Sequence, residues 1–190
     1  MRTSTALVII GLSLFCFGAS ADETLKQAID HAQALRVAGH PAEAEAALLQ
    51  ILAKWPNDYR ATYVLGLAYS DEKKSDLAIA TFRKASELRE QTGSKDYTIY
   101  NTLGWEYLQR GDTANAKAQF QKGVDAKDFL SKASYARVAN NLALVHMSEG
   151  NPSKARPLLQ DAAAAGSKLA KFNLSILDST PGQLEFSPPK

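Results

Sequence analysis

Apolar and small residues recur at helical spacing in residues 59–90. One face of the first half carries Thr62, Leu65, Gly66 and Tyr69, and one face of the second half carries Ala78, Phe82 and Ala85. The polar residues 71–76 separate the two halves. Because spacings of three and four residues are typical of amphipathic helices, this pattern predicts two helices joined by a turn.

The pattern of residues 59–90 returns three more times along the chain. Its Leu-Gly-x-x-Tyr core recurs as Leu103, Gly104 and Tyr107, as Leu142, Ala143 and His146, and upstream as His31, Ala32 and Leu35. The copies begin near Leu25, Tyr59, Tyr97 and Ala136, and we place the few extra residues of the later copies around residues 91–95 and 128–131. A repeated hairpin of this length cannot bury its apolar face alone, so the copies are expected to stack on one another.

The spacing of Leu65, Gly66, Tyr69, Ala78, Phe82 and Ala85 resembles the signature of the tetratricopeptide repeat. This resemblance implies an all-α fold, namely a right-handed α-solenoid of four helix hairpins that spans residues 22–177. Residues 162–177 resemble the Sel-like variant of the repeat, in which a short glycine turn leads into another helix, and they predict a C-terminal capping helix. Residues 178–190 are rich in Ser, Gly and Pro and are predicted to form a disordered tail.

Residues 1–21 have the pattern of a secretory signal peptide. Arg2 precedes an apolar run over residues 6–17, and Ala19-Ser20-Ala21 is a small-x-small cleavage site. The apolar run is short for a membrane span, although an uncleaved N-terminal anchor is the alternative. The signal predicts export, to the periplasm if the source is bacterial, with no membrane span after cleavage. Cys16, the only cysteine of the chain, lies inside this segment.

Charge and chemistry argue against nucleic acid as a partner and against catalysis. The formal net charge is +2, and removal of Arg2 with the signal leaves +1, so there is no basic excess to neutralise phosphates. The three histidines, His31, His40 and His146, do not stand at metal-ligand spacing from one another. Since the sequence also contains no nucleophile elbow and no phosphate loop, we expect neither an enzyme nor a cofactor nor a metal.

The resemblance also implies which residues line the concave face, because the first helix of each repeat lies on the inside of the superhelix. The candidate binding residues at these positions are Arg60, Tyr63, Leu67, Asn101, Trp105, Arg137, Asn140 and Leu144. Arginine and aromatic residues are typical interface anchors, and asparagine can pair with the backbone of an extended peptide. For Leu67, Trp105 and Leu144, packing between adjacent first helices is the alternative interpretation.

These residues predict a scaffold or adaptor that binds a peptide or a segment of another protein in the concave groove. The family's carboxylate clamp for C-terminal tails is not expected, because Ile29 and Gln33 occupy the positions where the clamp needs a lysine and an asparagine. The alternatives are a structural module that associates with itself and an assembly factor for a complex of the cell envelope.

The signal-peptide prediction can be tested on exported material. We expect N-terminal sequencing to begin at Asp22, directly after the Ala19-Ser20-Ala21 site. Recovery of the protein with Met1 retained would instead support the N-terminal anchor.

Overall fold

The computed structural model describes residues 21–179, so the predicted signal peptide, apart from Ala21, and residues 180–190 lie outside the described part. Within that part every regular element is helical. The α-helices are α1 (Ala21–Val37), α2 (Pro41–Lys54), α3 (Tyr59–Asp71), α4 (Ser75–Thr92), α5 (Ile99–Gln109), α6 (Thr113–Asp125), α7 (Lys132–Ser148), α8 (Pro152–Ala164) and α9 (Lys168–Ser179), with a short 3₁₀ helix at Lys127–Phe129 before α7. The all-α fold predicted from the sequence is confirmed.

The helices form four consecutive hairpins and one final helix. α1 packs on α2, α3 on α4, α5 on α6 and α7 on α8, and each second helix also packs on the first helix of the next hairpin. α9 packs on α8 and touches α7, so it covers the end of the last hairpin as a capping helix should. This arrangement is an α-solenoid, in which each unit contacts chiefly its neighbours.

The last helix extends further than the sequence predicted. Asp178 and Ser179 belong to α9, whereas the tail was expected to begin at residue 178. The carboxylate of Asp178 forms an ion pair with the guanidinium of Arg156 on α8, which ties this final turn to the preceding helix. The sequence pattern missed the extension because this contact joins residues that are far apart in the chain.

Each hairpin closes on a contact between a small residue and a large one. A Cβ added to Gly66 on α3 would lie 2.5 Å from Cε1 of Phe82 on α4, and a Cβ added to Gly104 would lie 2.5 Å from Cε1 of Phe120. Both rings are fully buried. In the first and fourth hairpins the glycine position is taken by Ala32 or Ala143 and the phenylalanine position by a fully buried leucine, either Leu48 or Leu159. The added methyl group is therefore matched by a smaller partner.

The turns inside the hairpins need a left-handed backbone residue. Gly39, Gly111 and Gly150 take this conformation, with φ between +73° and +87°. The second hairpin has Lys73 at the corresponding position, with φ of +62°. A non-glycine residue pays a steric cost in this region, so this turn depends on the packing of α3 against α4 more than the other turns do.

The contact between Gly66 and Phe82 can be tested by a double-mutant cycle. We expect Phe82→Ala to lower the free energy of unfolding by about 3–5 kcal/mol, since it opens a cavity in the core. Gly66→Ala should cost about 1–3 kcal/mol in the wild-type chain, because the new methyl group would overlap the ring. In the Phe82→Ala background, Gly66→Ala should cost clearly less.

The measurement is chemical denaturation followed by circular dichroism. Lys84→Ala, at an exposed position of α4, is the matched surface control and should stay within about 0.5 kcal/mol of wild type. Strictly additive costs for Gly66→Ala and Phe82→Ala would contradict the proposed contact.

Candidate ligand-binding cleft

The candidate site that brings several of the predicted binding residues together lies where the first helices of the second, third and fourth hairpins meet. It is a cleft of about 400 Å³ that we call the first-helix cleft, lined by Tyr63, Tyr97, Thr98, Asn101, Thr102, Leu130, Ala133, Ser134, Arg137 and Val138. Three of the residues predicted to bind a partner, Tyr63, Asn101 and Arg137, therefore come together in one place. They come from α3, α5 and α7.

A second cleft of about 290 Å³ lies beside the first. It is lined by Ala133, Ala136, Arg137, Ala165, Gly166, Ser167, Lys168 and Leu169, and it shares Ala133 and Arg137 with the first-helix cleft. We call it the α9 cleft, because its far wall is the start of α9. The two clefts therefore adjoin each other at Ala133 and Arg137.

Four of the predicted site residues are buried, and of these Asn101, which is 8% exposed, is the one that also lines the first-helix cleft. Leu67 and Leu144 are buried, as in the packing alternative stated for them, and Asn140 is fully buried. Asn173 of α9 donates a hydrogen bond from Nδ2 to Oδ1 of Asn140, at 2.8 Å. An arriving segment could not reach Leu67, Asn140 or Leu144 unless the helices moved apart, so these three are not surface residues of a groove.

A ladder of polar contacts holds adjacent first helices in register. The hydroxyls of Tyr63 and Thr102 lie 3.0 Å apart, and Nδ2 of Asn141 donates to Oδ1 of Asn101 at 3.0 Å. The bond from Asn173 to Asn140 is the third step. The same two positions pair at each step. In one repeat it is the residue two places before the leucine position, such as Tyr63 before Leu65, and in the next repeat it is the residue one place before the leucine position, such as Thr102 before Leu103. Asn101 and Asn140, which the sequence suggested for binding a peptide backbone, thus each accept a hydrogen bond from an asparagine of the next first helix.

Tyr63 and Glu106, at the interface of α3 and α5, are shielded from solvent. Burial raises the pKa of the Tyr63 hydroxyl, so the group is a neutral hydrogen-bonding partner at physiological pH. Burial also raises the pKa of the Glu106 carboxyl on α5, against the opposing effect of a 2.5 Å hydrogen bond donated by Ser70 of α3. These polar groups bridge α3 and α5 below the cleft.

The arginines of the site differ in their partners. Arg60 is exposed, and its Nη2 lies 3.7 Å from a carboxylate oxygen of Asp22 and 3.7 Å from one of Asp58. Arg137 is half-buried and, within residues 21–179, has no carboxylate within 4.0 Å. In the same part of the chain only Arg83, which is exposed on α4, shares this lack of a partner. The cation of the cleft is therefore available for a ligand.

Sequence reasoning missed the aromatic edge of the first-helix cleft. The rings of Tyr97 and Phe129 stack with centroids 4.9 Å apart and planes 21° apart. Tyr97 belongs to the connection before α5, and Phe129 belongs to the 3₁₀ helix before α7. The sequence did indicate the two connections, because both copies of the repeat there are longer than the usual period. It could not show that Tyr97 of one connection contacts Phe129 of the other.

The connection before α5 is itself fixed by a buried cation. Arg89 of α4 lies 4.5 Å from the centroid of the Tyr97 ring and 5.1 Å from that of Tyr100, and its Nη2 donates to the Tyr100 hydroxyl at 2.7 Å. On the other side of the connection, Asp96 accepts from the backbone N–H of Thr98 at 3.0 Å and from the Tyr59 hydroxyl at 3.1 Å. The Tyr97 side chain is therefore held in place before any ligand arrives.

No group of three or more His, Cys, Asp and Glu side chains in residues 21–179 is placed to hold a metal ion. None of the helices in the same range is both long and apolar enough to cross a membrane.

The model of the tetratricopeptide repeat family matches residues 29–91 and 101–170. The chain belongs to this family. No curated protein sequence matches the chain. Among solved structures, a MamA protein from Desulfovibrio magneticus superimposes with a TM-score of 0.67 at 19% identity, over 82% of this chain and 84% of that one.

Two further structures show the same fold. PilF from Pseudomonas aeruginosa matches with a TM-score of 0.72 at 20% identity, over 82% of this chain and 68% of that one. An O-GlcNAc transferase from Thermobaculum terrenum matches with a TM-score of 0.64 at 19% identity, but this chain covers only 27% of it. At such identities the tetratricopeptide solenoid is what these proteins share with this chain.

Proposed function

We propose that this tetratricopeptide repeat protein is an exported scaffold that binds a segment of another protein on the face formed by its first helices. The observation that carries the proposal is the convergence of Tyr63, Asn101 and Arg137 on one cleft of about 400 Å³. A cleft with a few polar groups among aromatic and aliphatic walls is suited to the side chains of an extended segment.

Trp105 extends this surface along α5. It stands one helical turn after Asn101 and is half-buried, so part of its indole is available to a partner. Aromatic side chains of this kind are enriched among the residues that dominate interface energies. Arg60, exposed at the start of α3, lies at the rim, where a charge acts mainly on association rate.

Export is the second component of the proposal, and it rests on the signal-like pattern of residues 1–21. Within residues 22–190 there is no cysteine, so a fold of stacked helices would need no disulfide in an oxidising compartment. A scaffold of the bacterial envelope, which brings two partners together without catalysing a reaction, is the role that agrees with both components.

The groove can be tested with peptides selected from a random display library on the purified protein. We expect Trp105→Ala to weaken the binding of the selected peptides about thirtyfold, as is typical for a central aromatic anchor. Binding is measured by fluorescence anisotropy after circular dichroism has shown that the variant is folded. Lys84→Ala, on the exposed side of α4, is the control. Equal affinity in Trp105→Ala, with a loss in Lys84→Ala, would place the site elsewhere.

Self-association is a second candidate, and one observation favours it. Phe172 of α9 stands at the register that Tyr63, Asn101 and Asn140 occupy in the earlier first helices, and its side chain is 49% exposed because no further first helix follows within residues 21–179. If α9 joins two copies, light scattering should give a dimer or larger species, and Phe172→Glu should return it to a monomer. A wild-type monomer at all accessible concentrations would contradict this candidate.

A further inference from the structure

The charged side chains that line the first-helix cleft and the α9 cleft, among residues 21–179, are all positive. Among residues 21–179, Arg137 is the only charged residue that lines the first-helix cleft, and Arg137 and Lys168 are the only charged residues that line the α9 cleft. Neither cation has a carboxylate partner within 4.0 Å among residues 21–179. A half-buried guanidinium that lacks a counter-ion is well placed to bind a carboxylate, because it can donate two parallel hydrogen bonds to the two carboxylate oxygens.

The first-helix cleft also has an aromatic edge. Tyr97 lines the cleft, and the ring of Phe129 that stacks on it is 54% exposed. Because Arg89 and Asp96 fix the connection that carries Tyr97, little ordering entropy would be lost when a ligand packs on this edge. A flat or apolar side chain is the complement of such a surface.

We infer that the two clefts together recognise an acidic peptide segment of a partner protein, with an Asp or Glu side chain next to an aromatic or large aliphatic one. The carboxylate binds Arg137, and the adjacent apolar side chain packs on Tyr97 and Phe129. This inference rests on the proposed function and adds the chemistry of the partner. The aromatic edge comes from the two long connections, so the preference is a property of this chain rather than of the repeat.

The peptides selected from the random library supply the first test. We expect them to be enriched in Asp or Glu directly beside Phe, Tyr, Trp or Leu, compared with the unselected library. Their affinity should fall as salt is added, because a charge pair contributes to binding. Selected peptides without an acidic residue, or with salt-independent affinity, would overturn the inference.

Matched variants supply the second test. Arg137→Gln should weaken the binding of the selected peptides about tenfold or more and reduce its salt dependence. Arg83→Gln, which removes the other arginine of residues 21–179 that has no ion-pair partner, should leave affinity unchanged. Phe129→Ala should weaken them about fivefold or more, and Leu77→Ala, which removes a 49% exposed apolar side chain from α4, should not.

The outcomes separate this inference from the proposed function. Peptides that lose affinity in Trp105→Ala but bind equally to Arg137→Gln and Phe129→Ala would overturn the acidic preference and leave the groove intact. If the library yields no peptide that binds the purified protein, both proposals fail. Since Phe129 is exposed and Arg137 has no ion-pair partner among residues 21–179, neither substitution is expected to unfold the chain.

Discussion

The close approach of the two helices in each hairpin is the constraint on which the rest of this structure depends. Where Phe82 or Phe120 fills the interface, the facing residue is glycine, since even a Cβ would lie 2.5 Å from the ring. Where leucine fills it, the facing residue is alanine. The summed size of the pair is thus held nearly constant, which keeps the four hairpins alike in shape. Only units of like shape can stack into a regular solenoid, so this contact inside the hairpin determines the contacts between hairpins.

Stacking then determines which polar side chains remain for a partner. Neighbouring first helices are joined by Tyr63 and Thr102, by Asn101 and Asn141, and by Asn140 and Asn173. A buried amide that lost its partner would carry the full cost of desolvation, so these pairs favour one register between the helices. Their contribution to specificity is larger than their net contribution to stability. The same pairing removes Asn140 from any binding surface.

The sequence therefore predicted the fold better than the site. Small and large residues at a fixed period were enough to place four hairpins, the final helix and the two long connections, because the period reflects packing within a hairpin. Phase alone also assigned Leu67, Asn140 and Leu144 to an inner face, but it could not tell whether solvent or the next helix lies against that face. The contact between Tyr97 and Phe129 was equally out of reach, since each belongs to a connection whose path depends on tertiary structure.

Side chains that lack a partner among residues 21–179 lie next to the two connections that interrupt the repeat. Inside the regular part, polar groups at the inner positions are paired across the first helices, as Asn101 and Asn141 are. Beside the two long connections the regular pattern gives way to a cleft, an exposed ring and the half-buried cation of Arg137. A strictly periodic solenoid offers the same surface in every repeat, so it has little means of choosing one partner over another. Selectivity in this chain is therefore expected to come from the departures from the period, because they bring an aromatic edge and an unpaired charge to one site on the solenoid.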